Sequence, residues 1–562
     1  MESMFESCES VTSLDISKFT TGEVISMKNM FSEMIKLTSL DVSKFDTKYV
    51  RSISKMFYHC ILLTSIDVSQ FNTKSMQDIS NLFTNCSSIT SLSLKNFDTS
   101  KVTNMAHMFG NCSSLTYLDI SSFNTENVKS FSHMFQNCAL LKDIDVSKFS
   151  TNQLNDMAYM FSGCSAMTSL DLTKFDISQV TTLQYTFNDC SSLEQLNIAH
   201  FSNNKVQYMR NCFHGLKSLK KLDMGDIDTS LITDMSEFFS GCSSLTSINL
   251  SKLKTNKVQT MQYMFKDCEQ LQYLDLSSFI TSQVADMSFM FYNCKSLTSI
   301  NLSNLDTSNV LSMMNMYDGC SSLLKLDLSN FNTKSLRQMS YMFQNCNNLQ
   351  NIDINYQKFS TNIVTQMISL FEGCSSLISI DLSGFSTEKV YSFENIFKDC
   401  SSLTSLDLSN FQTTQVTTMK NVFSGCSKLQ KINLDNFDTK RVISMSGLFK
   451  DCSSLVEIDI SMFNTISAMD MSSLFQGCSK LENIHLNFNT INTYNMNYMF
   501  ALCTSLTSLN LTSFNTDKCN AFNNMFEDCN GLTVYLTSEH NSKLIKNIPE
   551  YVTVNITDEL FN

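Results

Sequence analysis

Met108-Phe-Gly-Asn-Cys-Ser-Ser-Leu-Thr-Tyr-Leu-Asp-Ile-Ser-Ser-Phe-Asn-Thr-Glu-Asn-Val-Lys-Ser-Phe-Ser-His133 is one repeat unit of 26 residues. The chain repeats it about twenty times and contains little else, and a period in this range marks a solenoid, a propeller or an array before any other feature is weighed. Cysteine keeps the register, recurring every 26 residues from Cys8 to Cys346, with Met34 and Leu216 in the two vacant slots. Two residues are then inserted around Tyr356-Gln357, and one is missing near Asn487-Phe488.

The unit carries two periods. Leu-Thr-Tyr-Leu-Asp-Ile alternates apolar and polar residues, which predicts a short strand with one buried face. Val-x-x-Met-x-x-Met-Phe repeats apolar residues at i, i+3, i+6 and i+7, which predicts a helix of about two turns. The Thr before the Val, as in Thr99 and Thr125, suits a helix cap or a ladder of like residues. One strand and one short helix per repeat give a leucine-rich-repeat-like α/β solenoid, a right-handed coil stack over residues 1–535, closed by a degenerate C-terminal cap over 536–562 that holds the only proline, Pro549. Helices are about 10 Å wide and strands about 5 Å apart, so the stack should curve with its sheet on the concave side.

Among 562 residues there are 13 glycines and a net charge of -13, with no basic cluster, which argues against nucleic acid and anionic membranes as partners. No window reaches the run of about 18 apolar residues that membrane insertion requires. The chain opens inside a repeat with no signal peptide, and its unpaired cysteines favour a reducing compartment.

The repeat M-F-x-x-C-S-S-L-T-S-L-D-L-S-x-F-x-T-S-x-V-T-x-M resembles that of BspA-like leucine-rich-repeat surface proteins, a 26-residue-repeat family also found in mycoplasma-type surface lipoproteins. The resemblance covers about residues 1–535. It implies a solenoid fold, surface exposure or secretion, and adhesion to host proteins or other partners. It supplies no active site and no cofactor. The surface location it implies and the cytoplasmic one suggested by the missing signal remain alternatives.

The Phe after the strand (Phe19, Phe45, Phe71, Phe97, Phe123 and onward, with Ile227, Leu253 and Leu305 as exceptions) should form a stacked spine. The cysteines, among them Cys86, Cys112, Cys138 and Cys164, read as buried free thiols, since no C-x-x-C pair suggests a metal. The strand aspartates, such as Asp41, Asp67 and Asp119, should face outward, stack at about 5 Å, repel and titrate upward, leaving room for a cation between them. His107 and His133 share one slot with Tyr159 and Tyr185 and should be neighbours on the helical side. No catalytic order or phosphate-cradling loop is present, so the chain reads as a non-enzyme. Partner binding should use the variable slot in the strand, held by Tyr117, Asp143, Gln195, Lys221, Tyr273, Lys325, Lys431 and Glu457. Its expected partner is a protein, host or self, with a glycan as the alternative. A second reading is end-to-end homo-oligomerisation through the uncapped N-terminal coil, where Phe5, Cys8, Val11 and Leu14 are core-type residues.

Overall fold

The alternating segment of each repeat becomes a strand whose register is the repeat period. In the computed structural model, which describes residues 1–557, Ser91–Ser93 pairs in parallel with Tyr117–Asp119, bringing Leu92 into register with Leu118. Leu92 is buried between exposed Ser91 and Ser93, the burial that period 2 requires. The pairing recurs between Lys325–Asp327 and Asn351–Asp353, and between Glu457–Asp459 and Asn483–His485. The chain divides into two compact units, Met1–Gln283 and Val284–Asn562, and both use the same coil.

The helix expected in every repeat is not there. The segment is a β-solenoid arc of consecutive turns. Met108 donates its N–H to the Met105 carbonyl at 3.3 Å, Gly110 to His107 at 3.1 Å, and Cys112 to Phe109 at 3.1 Å. The intervening amides leave the coil altogether: His107 donates to Ser132 at 2.8 Å, Phe109 to Met134 at 3.0 Å and Asn111 to Gln136 at 2.6 Å, all in the next coil. An α-helix spends its interior N–H groups on its own carbonyls, so it could not make these bonds. His107 (φ 57) and Asn111 (φ 61) are left-handed, which a right-handed helix does not tolerate and which a type II turn needs at its third residue. The apolar spacing misled because turns three residues apart also return Met105, Met108, Phe109 and Cys112 to the interior, where all four are fully buried. The width mismatch that the helix reading assumed therefore does not arise.

A second parallel ladder runs through this arc. It links single, mostly polar residues that precede a buried apolar one, from Ser26 through Ser52, Asp78, Asn104, Ser130 and Asp156 in the first unit, and from Asp286 to Ala521 in the second. The helix reading had placed these residues inside the helix.

Three buried columns tie coil to coil. The Phe of each Met-Phe pair stacks on its neighbours, as in Phe57–Phe83 at 5.6 Å and Phe109–Phe135 at 5.7 Å, with rings within 8° of parallel; such pairs contribute about 0.5–1.5 kcal/mol each beyond burial. The Phe after the strand forms a second column: Phe45, Phe71, Phe97 and Phe123 are buried, Phe19 is half-buried, and its stacked rings range from 5.7 Å at Phe359–Phe385 to 6.4 Å at Phe149–Phe175. The Thr column does not cap helices. The Thr99 hydroxyl donates to the Asn124 carbonyl at 2.8 Å and accepts the Asn124 N–H at 2.8 Å, standing in for a strand partner of the next coil. Thr125 donates likewise to Ser150 at 2.8 Å.

The irregular coils are repaired locally. At the two-residue insertion, Asn355 accepts the N–H groups of both Lys358 and Phe359, and the Tyr356 ring lies where a Cβ on Gly384 would be. Phe359 is returned fully buried to its column. At the C-terminus, Ser508–Asn510, Thr533–Leu536 and Thr553–Ile556 form a three-stranded parallel sheet, with the one α-helix among the described residues, Ser542–Ile545, between the last two strands. The cap expected over 536–562 extends to residues 558–562, which lie outside the described residues.

Thr99→Val should leave the Asn124 N–H and carbonyl without their partner in a part-buried setting. We expect a loss of about 1–3 kcal/mol, read as a lowered urea midpoint and faster amide exchange at Asn124, with Thr99→Ser retaining most of the stability.

Candidate binding face

In each unit the variable residues take the same exposed slot of the repeat. Tyr117, Asp143, Gln195, Lys221 and Tyr273 lie in the first unit and Lys325, Lys431 and Glu457 in the second, and all eight are exposed. Tyr117 and Tyr273 expose 57% and 52% of their surface, far more than a packing role would leave. Among the described residues none of the eight side chains makes a hydrogen bond or an ion pair. Where the slot is in a strand, it pairs with the same slot of a neighbouring coil: Ser91 with Tyr117, Ser169 with Gln195, and Ser405 with Lys431.

The aspartate column beside them behaves differently from the stacked-carboxylate expectation. At Asp41, Asp67, Asp119, Asp145 and Asp459 the carboxyl is held below the usual range, not raised. The hydroxyl and N–H of the Ser two residues on are the main causes at Asp119, Asp145 and Asp459. Asp145 accepts the Ser147 N–H at 3.0 Å and its hydroxyl at 2.6 Å, and hydrogen bonds to the charged form lower a carboxyl pKa. The repulsion expected between coils is present but smaller: Asp41 raises Asp67 by less than Ser69 lowers it.

Among the described residues, open grooves lie on the strand side, three of them as follows. One of about 460 Å³ is lined by Ser13, Asp15, Ser39, Asp41, Ser65 and Asp67. Another of about 500 Å³ brings Lys431 and Glu457 together with Asp435, Asp459, Met462 and His485. The third, of about 630 Å³, lies among Asp226, Asp228, Lys252, Lys254 and Ile280, where Lys252 pairs with Asp226 at 2.5 Å and Lys254 with Asp228 at 3.2 Å. Sequence reasoning missed this last one, although its signal was in view: Ile227 and Leu253, adjacent exceptions in the Phe column, also line it.

On the turn side His107, His133, Tyr159 and Tyr185 form a continuous stack at 4.2, 4.4 and 4.5 Å, with rings within 9° of parallel. Parallel imidazoles send their in-plane lone pairs side by side, so the two rings cannot converge on one ion at the roughly 2.0–2.1 Å of a Zn–N bond. The His133 Nδ1 lies 2.7 Å from Gln136 Oε1, which can only accept. Burial, then the neighbouring His133, depress His107 to about 4. Bulky residues rarely adopt positive φ, yet this slot does so in coil after coil, with or without a ring, as at Lys55 (φ 55), His107 (φ 57) and Glu237 (φ 58). Among the described residues no group of three or more His, Cys, Asp or Glu side chains could hold a metal ion, and no helix is long and apolar enough to cross a membrane.

All 21 cysteines are thiols outside any disulfide. Cys86, Cys112, Cys138 and Cys164 are fully buried, and each thiol donates to the Phe carbonyl of the preceding coil, for example Cys112 to Phe83 at 3.2 Å and Cys164 to Phe135 at 3.1 Å. Burial pushes Cys112 and Cys164 up to about 12. The ladder is therefore one of S–H donors, without disulfides.

This is a leucine-rich-repeat-type β-solenoid with a phenylalanine stack and a cysteine ladder inside and variable polar files outside. The chain belongs to the family described as "Mycoplasma protein of unknown function, DUF285", which matches in overlapping segments from residues 1–90 through 209–321 to 443–553; this is the 26-residue-repeat family to which the sequence resemblance pointed. Among solved structures it is similar to a leucine-rich repeat protein from Bacteroides ovatus, at 20% identity, 71% of this chain, 86% of that one and a TM-score of 0.39. It is also similar to a leucine-rich cell surface protein from Faecalibacterium prausnitzii (17%, 63% and 81%, TM-score 0.30). A third is the functional domain of InlJ from Listeria monocytogenes, described as including a cysteine ladder (14%, 90% and 76%, TM-score 0.15). No curated protein matches.

Two measurements follow. A thiol reagent should find the half-buried Cys8 and few others in the native chain, and all 21 thiols after denaturation; rapid native reaction of Cys112 would contradict its burial. His107 favours its neutral form in the folded state, falling from 6.5 to about 4. Its contribution should be complete above pH 6.5 and decline as the pH falls towards 4, because the unfolded chain then binds the extra proton. His107→Asn should flatten that part of the stability profile.

Proposed function

We propose that this chain is a non-enzymatic binding solenoid that engages protein partners through its strand face, as a surface-adhesion array. The supporting observation is that the eight variable side chains, five in one unit and three in the other, are exposed, unpaired and chemically varied. Tyrosine, lysine and glutamate held at fixed spacing suit a broad protein contact better than a small ligand. The open grooves agree: they offer mixed charge and partly exposed apolar groups such as Met462.

The test is binding to immobilised host-surface proteins. Tyr117→Ser with Tyr273→Ser, and separately Lys431→Glu with Glu457→Lys, should weaken binding roughly tenfold or more, as loss of anchor residues does. Lys129→Ser, exposed but off the strand face, should leave it unchanged. Binding indifferent to both strand-face pairs would sink this reading. Binding that survives proteolysis of the target but not removal of its sugars would move the partner class to glycans.

End-to-end self-association is the second reading, favoured by the partial exposure of Phe5, Val11 and Leu14 in the first coil. Light scattering should then show mass growing with concentration, and Phe5→Lys with Leu14→Lys should abolish the growth.

A further inference from the structure

We propose that Asn530 is a site of spontaneous deamidation, a covalent switch in the last regular coil. Asn530-Gly531 is the one Asn-Gly pair in the sequence, and it replaces the Ser-Ser that usually follows the register cysteine. Three observations meet there. Asn530 is exposed, and its amide has no hydrogen-bond partner among the described residues. The Gly531 N–H has none either among the described residues. Gly531 sits at φ +81 with nothing within 4 Å of where a Cβ would be, so no neighbouring coil crowds the glycine.

The chemistry needs only water. The deprotonated Gly531 nitrogen attacks the Asn530 Cγ, a C–N bond forms, and the side-chain nitrogen departs as ammonia after taking up a proton. The resulting succinimide is opened by water at either carbonyl. One opening leaves an ordinary aspartate in place of the asparagine; the other leaves isoaspartate, in which the backbone runs through the former side chain and gains a methylene. No electrons are transferred. Because the attacking nitrogen must lose its proton, the rate rises with pH.

The consequence is local and structural. Asn530 and Gly531 are the central residues of the turn in which Leu532 donates to Cys529 at 3.3 Å. Leu532 is fully buried and leads into Thr533–Leu536, the middle strand of the terminal sheet. An added methylene in that turn changes where Leu532 and the strand begin. Asn541 is the built-in contrast: it is fully buried and its amide donates to the Phe514 carbonyl at 2.9 Å.

The test incubates the native full-length chain in mildly alkaline buffer beside a urea-unfolded control, with peptide mass analysis and an isoaspartate assay. Asn530 should convert in the native chain before any other asparagine and about as fast as in the unfolded control, while Asn541 converts only after unfolding. Asn530→Gln, whose imide ring is larger and forms more slowly, should suppress the signal without altering the fold. Aged protein should show faster amide exchange in 533–556 than fresh protein or the Gln variant. A native chain that keeps the Asn530 amide after the unfolded control has lost it would overturn the proposal.

Discussion

Every second amide in the turn arc bonds to the next coil instead of its own. That single choice fixes the separation of neighbouring coils at one backbone hydrogen bond, and the interior follows from it. The Met-Phe rings have to lie nearly parallel and 5.4–6.1 Å apart, as Phe83–Phe109 and Phe291–Tyr317 do. A thiol in the cysteine slot lands within reach of a carbonyl in the coil before, and a threonine hydroxyl lands between the N–H and carbonyl of the coil after. Leaving a buried amide unpaired costs about 1–3 kcal/mol, so a coil that drifted out of register would forfeit several such bonds at once. The columns are consequences of the spacing and in turn make it rigid.

Places where a column fails show how strict the constraint is. Ile177 occupies a threonine slot and has no hydroxyl to offer the next coil. In that next coil the equivalent residue is Asn203, buried, whose longer amide reaches back to the carbonyls of Ile177 and Val180, the latter at 2.9 Å. The two coils are still tied together there, but from the opposite side and through different groups. The neighbouring backbone adjusts too, and Ser202–Asn203 pairs with Asp226–Ile227 instead of taking a threonine partner. The groove around Lys252 opens just beyond, where Ile227 and Leu253 replace two successive phenylalanines.

Strand, register and cysteine burial could be read from the sequence because each depends on a period or on apolar character alone. The arc could not, because the apolar spacing of a two-turn helix and of chained turns is nearly the same. The deciding signal was polar and sat just before the cysteine: Asn85, Asn111, Asn137, Gly163, Asp189 and Gly215, residue types that accept positive φ. The aspartate column was misjudged for a related reason. Spacing along the stack suggested repulsion between coils, but the Ser two residues on, within the same coil, is nearer and stronger. Exposure of the variable file followed directly from alternation; the groove beside Lys252 needed three dimensions, since it depends on which bulky residues are missing from adjacent coils.

The same geometry separates stability from recognition. Buried slots bond across coils through Thr hydroxyls, Cys thiols and ring stacks, so a change there is felt by two neighbours. The exposed aspartates bond within their own turn, to the Ser that follows. The variable slot in the strand, which carries Tyr117, Lys221, Lys431 and Glu457, contributes only its backbone to the ladder. Any side chain compatible with a short strand fits there at little cost to the stack. A repeat built this way can alter its outer surface one coil at a time while its interior stays almost unchanged, and that is the property a binding array requires.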